Sequence, residues 1–463
     1  MKVLGGLCVS ACALMVASGH AVAQIPAPIL AYPGNALGPA AVGPEGTTVL
    51  GRARPDYDPL GIRLGSFIVH PSLGVSETFD SNVFATQSGA KSDFYTTENP
   101  GVSVASDWNR HSLAFTATGQ FKQYATHDSE NVNNAATDLR GRYDISNGQY
   151  FVADAGYALQ HEDRASPDST VNQLHPTEYH VTGAYLAYVH ELTRIGLRVD
   201  STVTSYDFNS QFTQFGVLVP ENDRDRIEYV VAPRVSYEFI PGYQAFVRAV
   251  GNLRQYNQQD QTLLHPDPGD FRITNPSARR NSKGYELDAG TAIEVTRLVT
   301  AEVYVGFLHQ DYEAQGQPGE LFHNFNGPAF GGNLLWNVTP LTSLKGSFSQ
   351  SVAETTLVIA TPTPANPFAE AAASGSRETN FQLTAEHELL RNVLLTGSVG
   401  YVRDAYSEIN RTDNTFGGDI GARYLMNRNV RLTADVSYSK RDSNVPGVGY
   451  ERVIGIVGAT IGF

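Results

Sequence analysis

From Gly65 onward the chain alternates apolar and polar residues in runs of about fifteen, separated by residues that favour turns. In residues 111 to 124, Leu113, Phe115, Ala117 and Phe121 share one face, opposite Thr116, Thr118, Gln120 and Lys122. Residues 226 to 239 repeat the pattern: Ile227, Tyr229, Val231, Val235 and Tyr237 face away from Arg226, Glu228, Arg234 and Glu238. A two-residue period belongs to a strand with one greasy and one wet face. The last run, 450–463, is less regular, because Ile454 and Ile456 stand among its polar positions.

Counting such runs predicts eighteen strands. The first nine fall near 66–84, 93–108, 111–126, 133–146, 150–164, 178–192, 196–210, 224–239 and 244–258. The second nine fall near 282–295, 300–314, 324–338, 343–356, 376–389, 393–407, 414–425, 430–443 and 450–463. Even-numbered strands end in tight connections such as Asn109-Arg110, Asn147-Gly148-Gln149, Pro241-Gly242, Pro340-Leu341, Arg391-Asn392 and Asn427-Arg428-Asn429. Odd-numbered strands tend to end in longer polar loops, the longest at 259–280 and 357–374. Short turns on one rim and long loops on the other predict an all-β chain, a transmembrane antiparallel up-and-down β-barrel of about 18 strands. A soluble sandwich or propeller would use shorter strands and turn its polar face outward. Trp108, Phe239, Tyr243, Trp336 and Tyr424 near the short turns, and Tyr124, Tyr206, Tyr256, Tyr312 and Tyr406 near the long loops, are expected to form two lipid-interface girdles.

Before the first strand the pattern changes. Lys2, an apolar stretch over residues 3–17 and Ala21-Val22-Ala23 predict a secretory signal peptide over residues 1–23, too short in its apolar part to span a bilayer. Residues 24–64 are rich in Pro, Gly and Ala and are read as a periplasmic tail, with a plug inserted into the pore as the alternative. The barrel is assigned to residues 65–463. The only cysteines, Cys8 and Cys12, precede it, so cysteine chemistry has no place in the barrel.

Composition agrees with this reading. The chain has 43 Gly, 23 Tyr, 22 Phe and 3 Met, a strand-favouring balance. It carries 47 Asp or Glu against 33 Lys or Arg, a net charge of −14, and charged residues make up 17%. Neither a disordered chain nor a nucleic-acid partner is indicated. Alternation places Lys122, Arg198, Arg226, Arg234, Arg248, Arg254, Arg423, Arg431, Arg441 and Arg452 on the inner face. It places Asp154, Asp200, Glu228, Glu238, Glu286, Asp288, Glu294, Glu302, Asp404, Asp419 and Asp435 there as well. Ten basic candidates against eleven acidic ones make a mixed wall with no firm ion selectivity. Each charge is read either as a wall pair, as for Arg248 or Arg254 with Glu228 or Glu286, or as a contact to cargo. Tyr188, Tyr206, Tyr256 and Tyr304 are candidate platforms for a translocated sugar chain. Alternation also predicts that Val231→Arg charges the lipid face, whereas Ala232→Arg is tolerated inside.

No phosphate loop, His-Glu-x-x-His pattern or Gly-x-Ser-x-Gly elbow occurs. His127, His161, His175 and His309 lie near the long-loop rim, two of them beside acidic residues, but neighbours along a strand point to opposite faces and build no triad. Asp267-Pro268-Gly269-Asp270 offers carboxylates for a divalent cation but reads first as a turn. No catalytic residue, cofactor or metal is expected.

Glu77-Thr78-Phe79-Asp80-Ser81-Asn82-Val83-Phe84, followed by Ser92-Asp93-Phe94 and Asn99-Pro100-Gly101-Val102, resembles the opening of the bacterial outer-membrane barrel family called putative beta-barrel porin 2. Trp336-Asn337-Val338-Thr339-Pro340-Leu341-Thr342, Arg411-Thr412-Asp413-Asn414 and Tyr438-Ser439-Lys440-Arg441-Asp442-Ser443 extend the resemblance over roughly residues 65–463. It implies a barrel in a Gram-negative outer membrane, porin-like, of a kind often accompanying polysaccharide synthesis and export. Implied partners are outer-membrane lipid and periplasmic polysaccharide-export proteins. The closing residues, Ile461 and Phe463 at two-residue spacing, resemble the signal read by barrel assembly machinery. The expected function is an aqueous conduit for a secreted polysaccharide; general small-solute uptake and a surface adhesin or receptor are the alternatives.

Overall fold

The computed structural model describes residues 48–169, 173–257, 281–295, 298–313, 324–355, 358–360, 370–373 and 375–463. The expected signal peptide, the first part of the expected tail, the expected turn at Asp267 to Asp270 and most of the two longest expected loops lie outside the described residues.

Eighteen antiparallel strands form the closed wall. In chain order they are β1 (Phe67–Asp80), β2 (Asp93–Ser106), β3 (Ser112–Tyr124), β4 (Val132–Ser146), β5 (Gln149–His161) and β6 (Glu178–Glu191). There follow β7 (Ile195–Phe208), β8 (Arg226–Ile240), β9 (Tyr243–Tyr256), β10 (Ser282–Val295), β11 (Val299–Tyr312) and β12 (Phe325–Thr339). The last six are β13 (Thr342–Glu354), β14 (Gly375–Leu390), β15 (Val393–Tyr406), β16 (Thr412–Leu425), β17 (Val430–Ser443) and β18 (Tyr450–Gly462). Each pairs with its neighbours in sequence, and β18 closes on β1 from Ser72↔Gly462 to Asp80↔Ile454. Closure removes the sheet edges that an open sheet of this size would expose.

Strands of 13 to 16 residues, at about 3.3 Å per residue, cross a bilayer's hydrocarbon core even when tilted. One parity faces outward and is apolar, with Leu73, Val75, Val231, Val247, Val305, Phe381, Ile420 and Val457 all exposed. The opposite parity is polar. Pro residues interrupt the ladder without moving it: pairing of β8 with β9 skips Ala232 and Pro233 and resumes at Arg234↔Arg248 in the same register, because proline has no N–H to give. Pro100 does the same between β2 and β3.

The connections after even-numbered strands, two to five residues long, all lie on one rim. Four of them follow a register shift, between Asp144 and Ser146, Glu238 and Ile240, Asn337 and Thr339, and Glu388 and Leu390. Gly148 and Gly242 take positive φ, 75° and 80°, in two of these turns, as a bulged hairpin demands.

The segment read as a tail is not free of the barrel along its second half. Ile62–Leu64 pairs with the start of β1, and residues 48–58 lie against the inner wall at the short-turn rim. Val49 is fully buried with Leu394 and Leu425, and Leu50 and Tyr57 pack on them. Pro/Gly-rich composition removes the drive to fold alone, but a tethered segment beside buried acceptors orders on contact.

Candidate functional site: the lumen and its two mouths

Every charged residue assigned inward by alternation has the inward parity in the barrel, as cross-strand register and alternating exposure show. Register brings one group together. Arg234 stands opposite Arg198 on one side and Arg248 on the other, so β7, β8 and β9 carry three arginines abreast. Like charges directly opposite destabilise a sheet, and each guanidinium has a carboxylate partner. Arg198 meets Asp200 at 2.7 Å. Arg248 meets Asp288 at 2.7 Å and Glu286 at 3.4 Å. Arg234 reaches past two strands to Glu302 on β11 at 2.8 Å. Aromatic faces support the same cations: Phe246 lies 3.7 Å from Arg234 and Tyr304 4.4 Å from Arg248, ring centroid to guanidinium carbon.

Toward the long-loop rim, Arg226 pairs with Glu228 at 2.7 Å and stacks over Tyr206 and Tyr256. Arg254 lies 4.0 Å from Glu228 and also contacts Glu354 of β13. Glu354 further accepts hydrogen bonds from the Tyr256 and Tyr312 hydroxyls, at 2.9 and 3.2 Å, and ties β9, β11 and β13 together across the lumen. Lys122 stands over the Tyr95 ring. Asp419, Arg423 and Asp435 form a separate group on β16 and β17, where Ser398 donates to Asp419.

Two aromatic assignments change. Tyr188 stands opposite Phe151 and Val199, both on the apolar side, so it belongs to the outer face and is no platform inside. Conversely, Tyr124, Tyr206, Tyr256, Tyr312 and Tyr406 point inward and form no outer girdle. With Tyr95, Tyr179 and Tyr450 they make an inner collar of rings at the long-loop mouth, largely buried under guanidinium groups and loop residues. Ala232 points inward as expected but is packed against Val230 and Val250, without room for a larger side chain.

The long-loop mouth is crossed by the connection between β5 and β6. Its Asp163 meets Arg452 of β18 at 3.1 Å, and the Ala165 carbonyl accepts from Arg441 of β17 at 2.7 Å. Asp168 accepts from Thr355 beyond β13 at 2.6 Å. Glu162 holds Arg224, from the loop before β8, at 2.8 Å, and Arg164 holds Glu130, from the loop before β4, at 2.7 Å. Ala165 also packs with Ala85 and Tyr450. This connection thus touches the wall on several sides and narrows the opening. Burial raises the Asp163 carboxyl, but Arg452, the Ala165 N–H and Lys122 more than offset it and hold it below the usual carboxylate range. Burial likewise works against the charge on Arg224, yet its carboxylate neighbours Glu162, Asp168 and Glu221 keep it firmly cationic.

At the short-turn mouth, the Val49 N–H donates to Ser343 Oγ and the Leu50 N–H to Glu386 Oε2, both at 2.9 Å. Arg54 pairs with Glu388 at 2.9 Å, both side chains buried, and donates to the Val49 carbonyl at 2.8 Å. Arg428 in the turn before β17 holds the Pro55 carbonyl at 3.0 Å. The segment therefore runs along the rim from β13 and β14 toward β17. The two-residue period placed neither this segment nor the crossing loop, because neither alternates. Glu386 and Glu388 share the inward parity of β14 and were open to detection by it, whereas Glu354 has the parity of Leu344 and Phe348, which lie opposite the outward Trp336 and Phe381, and alternation does not place it inside.

The four histidines do not converge. His127 contacts Asp93 at 2.9 Å, His161 Asn134 at 2.9 Å, His175 the Ser129 carbonyl at 2.8 Å, and His309 Asn326 at 2.6 Å. Among the described residues no cluster of His, Cys, Asp and Glu could hold a metal ion.

The family model for putative beta-barrel porin 2 matches residues 54–463. The chain belongs to that family. Its match takes in the whole wall and part of the rim segment. Among curated proteins no relative matches. Among solved structures, Pseudomonas aeruginosa OpdO is 11% identical, aligned over 85% of this chain and 97% of that one with a TM-score of 0.41. Pseudomonas aeruginosa OccK2 is 8% identical over 85% and 98%, TM-score 0.43. The copper transporter OprC is 11% identical over 87% and 84%, TM-score 0.47.

Proposed function

We propose that this member of the putative beta-barrel porin 2 family is a passive, non-enzymatic aqueous conduit in a Gram-negative outer membrane, with its short-turn rim and both ends of the wall in the periplasm. The observation that carries this reading is the closed eighteen-strand wall, apolar outside and charged inside; barrels of sixteen to eighteen strands enclose more space than their own side chains fill. The cargo we propose is a secreted polysaccharide chain. A wall of opposite charges in near balance neither repels nor traps a hydroxyl-rich polymer, and inner tyrosines at the long-loop mouth offer rings and hydroxyls where the chain emerges. Periplasmic export proteins would then deliver the polymer to the short-turn rim, and barrel assembly machinery would read Ile461 and Phe463, both exposed on the outer face.

The crossing loop favours a second reading, uptake of small solutes, since a narrowed mouth suits small cargo. Planar-bilayer recording of purified, folded protein tests the conduit: stepwise currents are expected, and silence counts against it. Deleting the gene separates the cargoes. Loss of surface polysaccharide with normal solute uptake supports export, and the reverse result transfers the role to uptake.

A further inference from the structure

We propose that residues 48–58 are a removable stopper, seated in a groove of the inner wall, and that their release sets how far the short-turn mouth opens. The inference concerns regulation and rests on the conduit reading above. The groove is built for this segment. Its floor is apolar, where Val49 meets Leu394 and Leu425. Its sides carry the acceptors Ser343, Glu386 and Glu388. Buried carboxylates are costly without partners, and the segment supplies them: the Leu50 N–H serves Glu386, which Lys345 also meets at 2.7 Å, and the Arg54 guanidinium serves Glu388.

The attachment is also of a kind that can be undone. It consists of one small apolar cluster and a few polar contacts, with no strand pairing to the wall until Ile62. Gly51, Ala53, Pro55, Asp56 and Asp58 stay exposed, so the segment is anchored at alternate points along a strap. Arg54 closes that strap on itself by bonding to the Val49 carbonyl while it holds Glu388. One side chain therefore fixes both the shape of the strap and its seat.

The test uses the otherwise full chain, whose only cysteines, Cys8 and Cys12, precede the stopper. Val49→Cys with Ser343→Cys sets two thiols at the point where the Val49 N–H meets the Ser343 hydroxyl, and formation of the disulfide is confirmed by non-reducing electrophoresis before recording. Single-channel current is recorded with the bond formed and again after reduction, in the same preparation. The expected result is a small, steady current when locked and larger or flickering openings once reduced. Removing residues 48–58 should raise the open level severalfold, Arg54→Glu should do so in part, and adding Glu388→Arg to Arg54→Glu should restore the ion pair, though not the bond to the Val49 carbonyl, and so bring the current partway back toward the small level. Equal currents in locked, reduced and deleted forms would overturn the stopper while leaving the conduit standing. No current in any form, the deletion included, would overturn the conduit and the stopper with it.

Discussion

At the scale of single residues, orientation and room are separate properties. Val231 faces outward and is exposed, so Val231→Arg should cost about 2–4 kcal/mol if it lies near the bilayer midplane, read as a lower urea midpoint in lipid vesicles. The inward control must be a residue with space beside it. Ala232 is 1% exposed and lacks it, whereas Gln382, between the outward Phe381 and Leu383, is exposed to the lumen. Gln382→Arg should fold at near-native stability and change conductance. A different cost applies where a charge loses its partner. Glu302 is almost fully buried against Arg234, and breaking a buried pair from one side costs about 3–5 kcal/mol. Glu302→Ala should therefore destabilise more than Val231→Arg in the same unfolding assay, with Glu302→Gln in between. Tyr206, Tyr256, Tyr312 and Tyr406 share parity with Arg198, Arg254, Glu302 and Asp404, so their inward direction was legible in the sequence. Nearness to a strand end fixes a ring's height along the wall, while parity fixes the side it faces.

At the scale of elements, turns and loops do different work on the two rims. Gly242 sits at φ 80° between β8 and β9, and a Cβ there would come within 2.3 Å of the Glu294 carbonyl. Gly242→Ala should cost on the order of 1–2 kcal/mol from the left-handed backbone alone, plus the clash, and should slow refolding in vesicles. On the other rim, the connection between β5 and β6 is held in the mouth partly by Asp163 and Arg452. A carboxyl held below its usual range contributes its stabilisation above that range and loses it as the pH falls through its own lowered value. The part of the conductance that this contact controls should therefore stay unchanged from neutral pH to about 4 and rise only below that. Asp163→Asn should show the raised conductance already at neutral pH, with a smaller acid step; an unchanged current in both respects would mean that this contact does not hold the loop.

At the scale of the whole molecule, the strand number, the strand limits and the two faces were legible because each strand meets lipid on one side and water on the other. That contrast is imprinted residue by residue, as in 226–239, where every second position must be apolar. Pro and Gly mark the ends. β18 keeps the rule on its outer face, where Val453, Val457 and Ile461 are exposed, and departs from it inside, where Ile454 and Ile456 are buried. The sequence by itself therefore determined a wall of eighteen strands, its two faces and many of the charges on the inner one. Only the tertiary structure decided which of those charges meet. Arg234 with Glu302, and Arg254 with Glu354, lie several strands apart, and nothing local in the chain encodes a distance across a lumen. The same holds for residues 48–58 and for the loop after β5. Neither segment has a periodicity of its own, and each takes its place from a surface that exists only once eighteen strands have closed.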